Sequence, residues 1–116
     1  MKYDDVWLFT EGLAPVQLNG MWGYIDKEGK VMIPFNYDSV GFFSEGLAPV
    51  GLGEDIINGN GKYGFVNKEG KEVIPVKYDD AWGFSGGLAL VKLNGKYGYI
   101  DKKKERTFLG KFSFHP

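Results

Sequence analysis

The chain has 116 residues, with 14 basic and 15 acidic side chains giving a net charge of −1, no Cys, 18 Gly and 16% aromatic residues. That balance offers no basic surface to a phosphate backbone and argues against nucleic-acid binding, and the lack of Cys removes disulfides, thiolate metal sites and a Cys nucleophile. Met1-Lys2-Tyr3-Asp4-Asp5 does not open a signal peptide and no apolar run of about 18 residues occurs, so a cytoplasmic chain without a membrane span is expected.

The first segment, Tyr3-Asp4-Asp5-Val6-Trp7-Leu8-Phe9-Thr10-Glu11-Gly12-Leu13-Ala14-Pro15-Val16, returns at Tyr37 to Val50 and again at Tyr78 to Val91. Asn19-Gly20 follows, flanked by alternating apolar residues, and predicts a tight hairpin because both central positions of a type I′ turn need positive φ. Leu13 to Leu18 should therefore pair with Met21 to Asp26. Within the second strand Trp22, Tyr24 and Asp26 face one way, and Gly23 and Ile25 the other. Lys27-Glu28-Gly29 predicts a further turn into Lys30 to Ile33, where Pro34 marks a strand end or edge. Asn60-Gly61 and Asn94-Gly95 repeat the hairpin signal, before Tyr63-Gly64-Phe65-Val66 and Tyr97-Gly98-Tyr99-Ile100.

The steps between Tyr3, Tyr37 and Tyr78 are 34 and 41 residues, and the longer one contains the insertion 53–59 at a hairpin tip. The expected organisation is one all-β domain over 1–116 made of three tandem units: 3–36, 37–77 with the insertion, and 78–116 with a divergent terminal segment. That segment carries Phe108, Phe112 and Phe114 and suits a cap. No stretch sustains a helical apolar period without Gly or Pro. An open, solenoid-like meander is favoured over a closed barrel or propeller-like ring with pseudo-threefold symmetry, and its free edges could pair two chains, leaving monomer or homodimer open.

The runs Trp22-Gly23-Tyr24-Ile25-Asp26-Lys27-Glu28-Gly29-Lys30, Ile33-Pro34, Tyr37-Asp38 and Phe43-Ser44-Glu45-Gly46-Leu47-Ala48 resemble the bacterial WG-repeat family, also called the KWG repeat. The resemblance covers the chain apart from the insertion and the segment after Lys103, although Tyr63 and Tyr97 replace the Trp in later copies. It implies an all-β tandem array of bacterial or phage-borne proteins and carries no catalytic residues.

Asp4-Asp5 and Asp79-Asp80 could be metal ligands or a carboxylate dyad, but recurrence at one place in each unit favours turn-forming residues that bind their own backbone. His115 is the single His, and Ser44 and Ser85 have no His in their motif, so a Ser-His-Asp triad is not expected. Gly51 to Gly64 lacks the Gly-Lys-Ser/Thr of a phosphate loop. The expectation is therefore no enzyme, no cofactor and no metal. Repeated aromatics (Tyr3, Tyr37, Tyr78; Phe9, Phe43, Phe84; Tyr24, Phe65, Tyr99) are expected to pack the units. Function should lie where the copies differ: Trp7 and Trp82, which correspond to Gly41; Trp22, which corresponds to Tyr63 and Tyr97; and Glu54, Asp55, Ile56 and Ile57 of the insertion. These are the candidate partner-binding residues. The expected function is a non-catalytic module binding another protein, as an adaptor or a mobile-element inhibitor. The alternative is a carbohydrate or cell-wall binding repeat.

Overall fold

A computed structural model describes residues 3–53 and 61–103. The first hairpin forms as its sequence dictates. Strand β2 (Leu13–Leu18) pairs with β3 (Met21–Asp26) in a continuous antiparallel register from Leu13 opposite Asp26 to Leu18 opposite Met21. Asn19 and Gly20 both take positive φ at the tip, 54° and 84°. The next turn is fixed by Asp26, whose Oδ1 accepts the N–H groups of Glu28 and Lys30, with Gly29 left-handed at φ 87°. Asn67 repeats this arrangement with Glu69 and Lys71.

Strand β4 (Val31–Tyr37) closes the first sheet and does not stop at Pro34. Tyr24 faces Ile33 while Trp22 faces Tyr37, so β4 carries two extra residues in a bulge that includes Pro34. A residue without an N–H is tolerated there because the bulge asks for no ladder donor. The bulge also explains the Gly after the Trp. A Cβ on Gly23 would lie 2.5 Å from the Ile33 carbonyl oxygen, and one on Gly64 equally close to that of Ile74. The same plan gives a second sheet, β5 (Ser39–Val40), β6 (Leu47–Leu52), β7 (Lys62–Asn67) and β8 (Glu72–Tyr78), and a third, β9 (Asp80–Ala81), β10 (Leu88–Leu93) and β11 (Lys96–Asp101). The first is β1 (Asp5–Val6), β2, β3 and β4. Tyr37 and Tyr78 thus end one sheet rather than open the next.

The chain is all-β, antiparallel and open, with no closed barrel. Its core lies between consecutive sheets. Trp22, Tyr24 and Ile33 of the first sheet pack with Val40, Phe43, Ala48, Val50 and Val66 of the second. Phe65, Ile74 and Tyr78 of the second pack with Ala81, Phe84, Ala89, Val91 and Ile100 of the third. Strand alternation produces this: Tyr24 and Phe65 point forward, while Ile25 and Val66 point back. The forward ring meets the next unit's Phe edge on, Tyr24 with Phe43 at 4.9 Å and Phe65 with Phe84 at 5.0 Å between centroids. Such pairs contribute about 0.5–1.5 kcal/mol beyond their burial. Phe9 departs from the expected packing: it is 42% exposed, against 2% for Phe43 and Phe84. No forward ring of a preceding sheet stands against it among the described residues.

Candidate functional site

The recurring Asp residues hold the hairpins. Asp4, Asp38 and Asp79 each accept a tip N–H through Oδ2, from Asn19, Gly53 and Asn94 at 2.7, 2.8 and 2.7 Å. Asp5 and Asp80 accept the N–H of the following residue. This is turn scaffolding at matching positions, as their recurrence suggested.

The junctions between units carry a second polar system. Thr10-Glu11-Gly12-Leu13 and its counterparts close two-residue turns with Glu11 and Gly12 at φ 52° and 86°, Glu45 and Gly46 at 55° and 84°, and Gly86 and Gly87 at 62° and 86°. The carboxylate of Glu11 accepts the N–H groups of Glu45 and Gly46, and lies 3.5 Å from the Lys68 ammonium. Glu45 repeats this with the N–H of Gly87 at 3.0 Å and Lys102 at 3.3 Å. Desolvation alone would raise both carboxyls, but the donated N–H groups and the lysines outweigh it and hold both below the ordinary value. Two further bonds cross the junctions: Tyr24 Oη donates to the Gly41 carbonyl at 2.7 Å, and Ser44 Oγ to the Phe84 carbonyl at 2.6 Å. Burial pushes the Tyr24 phenol far up, so it stays a donor.

On this shared frame the variable residues are placed alike. Trp7, Gly41 and Trp82 each donate their N–H across the sheet edge, to Pro15, Pro49 and Leu90. The side chains then diverge. At the first junction Trp7 lies 4.4 Å from the Trp22 ring and 5.5 Å from Phe42, filling the space between units. At the second junction Gly41 stands in place of Trp7, and Gly83 in place of Phe42. Both rings are missing, and a cleft of about 430 Å³ opens there. Tyr63 and Trp82 contribute rings, Pro49 an apolar wall, and Asp80 a carboxylate, with no Lys or Arg among the described lining residues. The size falls within the usual range for a site taking a small group. The contrast between junctions rests on two glycine substitutions in a repeated frame.

The sequence-predicted residues therefore fall into three groups. Trp82 is 41% exposed at the cleft, 6.1 Å from Tyr97. Trp7 is half-buried and helps line a shallower apolar depression of about 380 Å³ with Val6, Leu8 and Phe42. Trp22 is 8% exposed and lies beneath Trp7, so it supports that surface and does not present itself to a partner. Glu54, Asp55, Ile56 and Ile57 lie outside the described residues, as do His115 and the expected cap after Lys103. Sequence reasoning passed over Gly83, although the column Leu8, Phe42, Gly83 varies as much as Trp7, Gly41, Trp82 beside it. It also passed over Glu11 and Glu45, whose roles depend on a left-handed backbone that Glu seldom adopts.

Two features recur along the chain: a Trp-Gly or Tyr-Gly step against the bulge at Gly23 and Gly64, and a Glu-Gly turn bonded to the next unit at Glu11 and Glu45. A family model described as the WG containing repeat matches residues 1–22, 22–54 and 63–97. No curated protein and no solved structure matches the chain. The three matched stretches together span most of the sequence, and the chain belongs to the WG containing repeat family.

Proposed function

We propose that this chain is a non-catalytic protein-binding module whose partner places a planar or apolar side chain in the cleft between the second and third sheets. The observation that carries this reading is the paired loss of rings at Gly41 and Gly83, beside an exposed Trp82, where the first junction carries Trp7 and Phe42. Exposed Trp beside a preformed concavity is a frequent anchor site at protein interfaces. Asp80, with no Lys or Arg among the described lining residues, favours a neutral or basic group over an acidic one. The Asp residues that could have suggested chemistry are occupied by backbone N–H groups, which supports binding over turnover.

The test is site-specific photo-crosslinking in the cells that make the protein, with the crosslinker replacing the exposed Phe42 ring on the cleft wall and, as control, Met32. Met32 is exposed on β4, away from the cleft lining. The reading expects a discrete protein adduct from position 42 and none from position 32. Identical adducts from both positions would contradict it, and capture of polysaccharide at position 42 would favour carbohydrate binding instead.

A further inference from the structure

We propose that the group received by the cleft between the second and third sheets is the guanidinium of an arginine side chain on the partner protein. The proposal rests on the protein-binding reading of that cleft and names the chemistry of the same site.

The cleft walls combine two kinds of surface. Three rings line it: Phe42 and Trp82, each 41% exposed, and Tyr63, which is partly buried. Ring faces carry partial negative charge and attract a cation. Two such contacts already exist on the chain, with Lys77 5.4 Å from the Tyr78 ring centre and Lys92 5.5 Å from that of Tyr97. The polar lining adds acceptors. Asp80 contributes a carboxylate whose Oδ1 accepts the Ala81 N–H at 2.9 Å, while its Oδ2 meets no donor among the described residues. Ser44 donates its hydroxyl hydrogen to the Phe84 carbonyl, so its oxygen offers the cleft lone pairs alone.

The neighbouring cations are engaged elsewhere. Lys92 stands opposite Asp80 in the strand register, yet its ammonium lies over Tyr97. Lys62 is paired with Asp79 at 2.6 Å. No ion pair reaches Asp80 among the described residues. An anion in the cleft would meet Asp80 and the ring faces together, and a plain apolar group would leave the carboxylate desolvated without compensation. Among cations, the guanidinium matches both surfaces. It is planar and weakly hydrated, so it stacks on a ring while giving several N–H groups to acceptors at its edge, whereas an ammonium is compact and strongly hydrated. A volume of about 430 Å³ accommodates such a head with its stem.

The experiment titrates the full, ¹⁵N-labelled chain with Nα-acetyl-arginine methylamide, and separately with its citrulline, lysine and phenylalanine counterparts. The signals followed are the Gly83 amide and the Trp82 indole N–H. The arginine probe should shift both saturably. Citrulline, close in shape but uncharged, should bind at least about fivefold more weakly, and lysine about threefold more weakly. Asp80→Asn keeps an Oδ1 for the Ala81 N–H and should reduce arginine binding to the citrulline level. The proposal is overturned if arginine moves neither signal, if citrulline or lysine binds as tightly, or if Asp80→Asn leaves arginine binding unchanged. A shift by phenylalanine alone would overturn the guanidinium and leave the protein-binding reading standing. Arginine binding with no protein captured through the cleft from the source cells would support the guanidinium and contradict that reading.

Discussion

Glu11 binds the backbone of Glu45, its own counterpart in the next unit, through an N–H to Oε2 bond of 2.7 Å. Each Glu sits at positive φ, which costs a side chain that Gly does not carry, and each uses that geometry to reach forward. Gly86 takes this place in the third unit and carries no carboxylate. Glu11→Gln should therefore lower thermal stability by weakening the junction. Glu11→Gly should lower it less, by about 1 kcal/mol, because it removes the backbone cost along with the carboxylate. Denaturant titration of both variants checks the order.

The same carboxylates set an acid limit. Glu11 and Glu45 are held below their ordinary value of 4.5, and Asp79, through the hydrogen bond from Lys62, below 3.8. The folded chain binds fewer protons than the unfolded chain in this window. Their contribution is thus complete above the unfolded values and disappears as pH falls from about 4.5 through the folded values. The melting temperature, followed from pH 7 to pH 3, should drop more steeply for the natural chain than for a Glu11→Gln/Glu45→Gln double variant.

Gly23 and Gly64 should be among the positions least tolerant of change. Neither has a positive φ, so the constraint is space: a methyl group would overlap the Ile33 or Ile74 carbonyl. Gly23→Ala must push β4 away from β3, and a loss of about 1–3 kcal/mol is expected. A chemical denaturation curve measures it, with Gly83→Ala as the comparison, a glycine without positive φ whose Cβ would meet only Ser44 Cβ at 4.0 Å.

The two cleft glycines should respond in opposite ways. A Cβ at Gly83 meets only Ser44 Cβ, at 4.0 Å, so Gly83→Phe can restore the missing ring and leave the fold as stable or more so. A Cβ at Gly41 would stand 2.7 Å from Pro49 Cγ, so Gly41→Trp should destabilise by about 1–3 kcal/mol. Melting temperatures of the two variants decide between these outcomes.

The strands and hairpins were legible because their signals are local. Asn19-Gly20 dictates a turn, and the alternation from Trp22 to Asp26 assigns faces. The course of β4 through Pro34 was not legible, because the bulge arises from pairing with β3. The exposure of Phe9 was hidden as well, since the sequence shows a repeated residue and not whether a neighbour stands against it. The column of Trp7, Gly41 and Trp82 shows in the sequence as a place where the copies differ, and the cleft lies at Gly41 and Trp82. Trp22 was misplaced among exposed contacts because its burial comes from Trp7, fifteen residues away. The Glu11 to Glu45 bond needs the stacking of units, which no single motif contains.

The cleft between the second and third sheets is proposed to hold a protein partner. The most direct measurement is quantitative affinity capture from the source cells, comparing the natural chain with Gly83→Phe, Trp82→Ser and the surface control Met32→Ser. The account predicts one protein species retained by the natural chain and the control, and lost from both cleft variants while all four remain folded. Retention of that species by Gly83→Phe and Trp82→Ser alike would contradict it.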